Sequence, residues 1–246
     1  NPEQALAEAK TTIAKLENTL TREGNEIGEA HMAKAREALE SGDFSIADDI
    51  FAEIEAREQL AVERTARAAF ARGEIAAQEI RWADAAKHFA RAAAIDPTYD
   101  HLKSACEFAR LNGDYAKAIP LGAELIQIAK TEFGDTHENY ATALTERALT
   151  LQDTGQYDLA EPLYKQAIEI GKQTFGENHP TYATNLNNLA NLYHDKGNYD
   201  RAESLYQQAL GITKQALGED HTSYATRLNN LAAFYLDTNK HNLAEL

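Results

Sequence analysis

The chain has 246 residues, 43% of them hydrophobic, with only 5 Pro and 13 Gly; this implies a folded chain and excludes long linkers and low-complexity tracts. Its net charge of −15 is spread evenly, 12 Lys+Arg against 19 Asp+Glu in residues 1–98 and 12 against 20 beyond, a field that repels nucleic acid and anionic membrane and favours neutral or basic ligands. The single cysteine, Cys106, excludes an intramolecular disulfide and CxxC metal chemistry, and no run of about 18 apolar residues is present to span a bilayer.

In chain order, residues 3–22 carry Leu6, Ile13, Leu16 and Leu20 near helical spacing, which predicts a capping helix within residues 1–27. From residue 28 onward an aromatic residue stands three positions before an alanine at Phe44/Ala47, Trp82/Ala85, Tyr115/Ala118, Tyr157/Ala160 and Tyr199/Ala202, with His241/Ala244 as a weaker copy. Short breaks at Gly113-Asp-Tyr115, Gly155-Gln-Tyr157, Gly197-Asn-Tyr199 and Asn239-Lys-His241 separate two helical patterns each time. Three longer segments repeat every 42 residues, starting at His137, His179 and His221, each followed three positions later by Tyr-Ala-Thr. Self-similarity at such a period predicts stacked helical hairpins, because one unit cannot bury its apolar face until a neighbour covers it.

Numbered on a 34-residue hairpin, the eighth position of six units holds Ala35, Gly73, Cys106, Ala148, Ala190 and Ala232, all small. The twentieth is always alanine, and the twenty-fourth holds Phe51, Phe89, Gly122, Tyr164 and Tyr206. Small residues let two helix backbones approach while large ones fill the gaps beside them. This pattern resembles the tetratricopeptide repeat (TPR) family over about residues 28–246, and Ile95-Asp96-Pro97 closes the second unit as that family's repeats close. The later units are similar to the long repeats of kinesin light chains, through Leu186–Tyr193, the Gly197-Asn-Tyr-Asp-Arg-Ala-Glu turn and Leu205–Leu210. The eight extra residues lengthen the second helix to about Leu217, with Gly218 expected as a left-handed C-cap.

The resemblance implies an all-α, right-handed α-α superhelical solenoid of about six hairpins, with two TPR-like units in residues 28–98 and four kinesin-light-chain-like units, the last truncated, in residues 99–246. It also implies that positions 5, 9 and 12 of each first helix, which share one face by i, i+4, i+7 spacing, line a concave groove. The candidate partner-binding residues are Lys103 and Arg110; Thr145 and Gln152; Thr184, Asn187, Asn191 and His194; and Thr226 and Asn229. Asn carries both donor and acceptor, so a row of Asn can pair with the backbone of an extended peptide, as kinesin light chains imply for Asn187 and Asn229; the same residues could instead bond neighbouring helices. A clamp for a ligand's acidic tail is disfavoured, because Glu107 stands where that clamp has Asn and Glu146 opposes an anion.

No catalytic motif, cofactor site or metal site is expected. His137, His179 and His221 recur on the order of 10 Å apart in such a stack, too far to share one ion, and are expected to fix the turn before each first helix. Cys106, in a small-residue position without a local His, reads as a buried filler. The function expected is therefore a non-enzymatic, cytoplasmic scaffold that holds an extended or short helical segment of a protein or peptide partner. Two alternatives follow from the ends of the sequence. The missing Met and the truncated last unit suggest a regulatory arm of a larger protein, and an open helix face at Leu231, Phe234, Tyr235 and Leu243 suggests self-association.

Overall fold

The computed structural model describes residues 33–35, 37, 38, 41 and 44–238, in two compact units, 1–67 and 68–246. The expected capping helix, the second helix of the last hairpin with His241 and Ala244, and the side chains of Phe44, Ala47 and Phe51 lie outside the described residues. From residue 44 the helices are α1 (Phe44–Gln78), α2 (Trp82–Ile95), α3 (Tyr99–Leu111), α4 (Tyr115–Phe133), α5 (Glu138–Asp153), α6 (Tyr157–Phe175), α7 (Pro180–Asp195), α8 (Tyr199–Leu217) and α9 (Thr222–Asp237).

In the first unit Ala35, Ala38 and Ala66 are buried. Its part of α1 carries the i, i+4 pairs Glu53–Arg57 at 2.8 Å and Glu63–Arg67 at 3.8 Å. The six-hairpin scheme places a turn between the first two units, yet α1 is one unbroken helix of 35 residues. The reason is local: residues 51–72 contain no Gly, Pro, Asn or Ser, and consist largely of Ala, Glu and Arg, which favour helix at every step.

In the second unit each helix from α2 onward packs against its successor in the chain. The turns before α2, α4, α6 and α8 close with one recurring hydrogen bond, in which the amide donors of Arg81, Asp114, Gln156 and Asn198 reach the carbonyls of Ala76, Ala109, Leu151 and Tyr193 at 2.8–2.9 Å. Such a closure needs a left-handed residue just before the donor. Gly113, Gly155 and Gly197 supply it at φ of 73–74°, while in the second hairpin Ile80 is forced to φ 58° with 70% of its surface exposed. Between hairpins the chain leaves α4, α6 and α8 through Gly134, Gly176 and Gly218 at φ 85–88° and ψ 167–169°. Gly218 was expected in the left-handed helical conformation; it adopts instead an extended, positive-φ backbone open essentially to glycine alone.

The punctuation by size holds from α2 to α8. Ala85, Ala118, Ala160 and Ala202 are wholly buried, as are Cys106, Ala148 and Ala190, and Phe89, Tyr164 and Tyr206 fill the spaces beside them. A Cβ on Gly73 would lie 2.7 Å from the Phe89 ring, so that contact exists only because position 73 has no side chain. Gly122 replaces the aromatic of the third unit because Cys106 Sγ and Arg147 Cβ already reach within 3.4 Å of where its Cβ would be.

The open apolar face expected at the last hairpin is corrected by the structure. Leu231, Phe234 and Tyr235 are at most 3% exposed, within the core that contains Leu189, Tyr193 and Tyr206. The Phe234 ring lies 5.4–6.2 Å from those of His194, Tyr199 and Tyr206, which are close enough to cover it; Leu243 lies outside the described residues.

A β-branched residue at positive φ costs roughly 1–2 kcal/mol, and glycine returns part of that as chain entropy on unfolding. Ile80→Gly is therefore expected to raise stability by about 0.5–1 kcal/mol, measured as a higher denaturation midpoint with an unchanged slope.

Candidate functional site: the wall of first helices

The first helices α3, α5, α7 and α9 bring equivalent residues of successive repeats side by side, and much of their polar surface is used to join them. Arg110 Nη1 donates to Asp153 Oδ2 at 3.3 Å, Gln152 Nε2 donates to Asp195 Oδ2 at 2.7 Å, and His194 Nε2 lies 3.7 Å from Asp237 Oδ2. Each rung spans 43 residues, from the twelfth position of one first helix to the thirteenth of the next. Gln152 and Asn191 also accept hydrogen bonds from the buried Tyr164 and Tyr206 hydroxyls. On the partner helices a parallel set of bonds runs from Tyr193 and Tyr235 to the carboxylates of Glu161 and Glu203, at 3.0 and 3.1 Å. Hydrogen bonds from Lys165 and Lys196 hold Glu161 down at about 2.

The ten residues singled out in the sequence thus divide. Arg110, Gln152, Asn191 and His194 are engaged in these bonds. Asn187 is 2% exposed and accepts from Asn230 Nδ2 at 3.1 Å, whereas Asn229, its equivalent one repeat on, is exposed with no side-chain hydrogen bond among the described residues. Thr145, Thr184 and Thr226 each return a hydroxyl proton to the carbonyl four residues earlier, at 3.0 Å; the Thr145 and Thr226 oxygens are left as acceptors, whereas Thr184 Oγ1 accepts from Arg227 Nη2 at 2.7 Å, a further bond to the next repeat. Lys103 is half-buried beside Glu146.

Two features go beyond those ten residues. The first is a cleft of about 290 Å³ among α5, α6 and α7, with Ala141, Gly171 and Phe175 as its apolar lining. Its polar rim carries Glu138, Thr142, Thr145, Thr181, Thr184, Asn185 and Asn188. Gly171 keeps it open: the positions 42 residues before and after are Ala129 and Thr213. That size difference, visible in the aligned repeats, was the available signal.

The second is Glu146. Its Oε2 is buried with no hydrogen-bond donor among the described residues. Burial, then the nearby Glu107, raises the carboxyl to about 7 against the opposing pull of Arg110 and Lys103. Cys106 beside it is fully buried, and burial together with Glu146 pushes the thiol up to about 12, which leaves it unreactive near neutral pH.

His137, His179 and His221 cap α5, α7 and α9, each ring Nδ1 accepting the amide two residues on at 3.1–3.2 Å. The first two rings stack on Phe133 and Phe175. No group of three or more His, Cys, Asp or Glu among the described residues could hold a metal ion.

With this geometry in view, family models described as tetratricopeptide repeats match residues 32–100, 101–173, 139–215 and 182–246. The chain belongs to the tetratricopeptide repeat family. Its fold is the all-helical solenoid of that family. No curated protein matches significantly. Among solved structures, one from Podosopora anserina, described as having kinesin light chain nearly identical TPR-like repeats, is 20% identical with a TM-score of 0.61, covering 75% of this chain and 91% of that one. BtubC (BKLC) of P. vanneervenii is 17% identical with a TM-score of 0.58, covering 100% of this chain and 87% of that one. A Rap protein in complex with competence and sporulation factor is 15% identical with a TM-score of 0.62, covering 99% of this chain and 73% of that one. No described helix of this TPR protein is long and apolar enough to cross a membrane.

Asn187→Ala removes the acceptor of a buried bond and is expected to cost about 1–2 kcal/mol, whereas Asn229→Ala stays within about 0.5 kcal/mol of the parent, both read from denaturant melts. Glu146 supplies a pH test. Because its folded value of about 7 lies above the ordinary 4.5, the folded state binds the extra proton, and the destabilisation grows as pH rises from 4.5 through 7. Glu146→Gln should raise the melting temperature at pH 8 by about 2–4 °C and change it little at pH 4.5.

Proposed function

We propose that this TPR protein is a non-enzymatic binding scaffold whose wall of first helices holds an extended or short helical segment of a protein or peptide partner. The observation that carries this reading is the division of labour along the wall. Arg110, Gln152, Thr184, Asn187, Asn191 and His194 keep successive helices in register, so Thr145, Thr226 and Asn229, with Lys103 at the near end, are left to meet a ligand. Their available groups are mostly acceptors, which suits the amide donors of an extended backbone.

Charge sets the class of partner. A net charge of −15, with Glu107 and Glu146 on the wall, favours neutral or basic segments over acidic tails and disfavours nucleic acid. The Rap protein captured with competence and sporulation factor supplies a neighbour of the same fold with a bound partner. A lone buried thiol needs no oxidising compartment, and we place the protein in the cytoplasm.

Selection from a random peptide library tests the reading. Bound sequences are expected to be depleted in Asp and Glu, to shift amide resonances of α5, α7 and α9, and to lose at least ten-fold in affinity in Thr226→Lys/Asn229→Lys at an unchanged melting temperature. Peptides that map to α4, α6 and α8, or a library that yields no binders, would overturn it.

A further inference from the structure

We propose that the cleft among α5, α6 and α7 is a subsite for the guanidinium of an arginine in the partner segment; this rests on the scaffold reading above and names the chemistry of one place on the wall. Three observations converge. First, the cleft presents acceptors. The hydroxyl proton of Thr145 is held by the Ala141 carbonyl, so its oxygen offers lone pairs, and the Glu138 carboxylate stands at the rim; Thr184 Oγ1 already accepts from Arg227 Nη2.

Second, Asn185 is 7% exposed, and its Nδ2 is turned to the Ala167 carbonyl at 3.4 Å. Its carbonyl oxygen has no donor among the described residues, and the residue lines the cleft. An amide oxygen without a partner can accept from a ligand N–H.

Third, the chain performs this recognition itself one repeat later. Arg227 stands 42 residues after Asn185, and its Nη2 donates to Thr184 Oγ1 at 2.7 Å. Thr184 is in turn the repeat equivalent of Thr142 in the cleft. Burial pulls the Arg227 guanidinium below its ordinary value, so this arginine is partly withdrawn from water. In the open cleft Asn185 is too short to play that part, and Gly171 leaves the space that Thr213 takes up in the next repeat. The aromatic lining at Phe175 suits the flat, weakly hydrated face of a guanidinium.

The experiment titrates the isotope-labelled chain with two capped tripeptides, acetyl-Ala-Arg-Ala-amide and its citrulline counterpart, which keeps the shape and loses the charge. Saturable shifts are expected at the Gly171 amide and the Asn185 side-chain amide for the arginine peptide, with at least ten-fold weaker binding for citrulline. Asn185→Arg, which supplies an internal plug as Arg227 does, should abolish the effect, and the exposed Glu138→Gln, which should leave folding intact, should weaken it three-fold or more. Equal binding of both peptides, no saturable shift at Gly171 and Asn185, or undiminished binding in both variants would overturn the subsite. Arginine-dependent shifts elsewhere on the first helices would reject this cleft and leave the scaffold standing. Shifts here, with library peptides mapping to the second helices, would do the reverse.

Discussion

The fold depends on close approach between helix backbones at two points per hairpin, where only a small side chain fits. Cys106, Ala148 and Ala190 mark one point, and Ala85, Ala118, Ala160 and Ala202 the other; all are fully buried. Dispersion falls steeply with separation, so a hairpin whose backbones are held apart loses contacts along its whole length rather than at one residue. The large rings of Phe89, Tyr164 and Tyr206 then have spaces of fixed size to fill. Gly73 is the limiting case, because its missing Cβ is itself part of the room the Phe89 ring occupies.

The fold was legible in the sequence to the extent that its determinants recur. Size alternation and the glycine breaks located α2 to α9 and their turns, and the His residues before α5, α7 and α9 were read as fixing those turns. Two features escaped because they arise from departures rather than from recurrence. The fusion of two helices in α1 follows from the absence of any breaker in residues 51–72, which a search for shared anchors passes over. The backbone at Gly218 follows from the direction in which the chain must leave the hairpin, and no single residue records that direction.

The wall of first helices was legible as a surface but not in its allocation. Asn187 and Asn229 are identical in type and equivalent in register. The first is buried because α9 lies against it and offers Asn230; the second has no such described neighbour. The same contrast separates Asn185 from Arg227, where one side chain leaves a space and the other occupies it. Periodicity gives a position, while the residue on the adjacent repeat decides whether that position holds the array together or faces outward.

The rungs that tie Arg110 to Asp153, Gln152 to Asp195 and His194 to Asp237 each step forward by 43 residues in a pattern that repeats every 42. Donor and acceptor therefore sit next to each other in the two middle repeats, Gln152-Asp153 and His194-Asp195, the first of each pair facing forward and the second back. Copying a whole block of 42 codons into the gene inserts a matched pair of ends, and no rung is orphaned at either seam. Duplication or loss of such a block would lengthen or shorten the array while keeping these rungs paired.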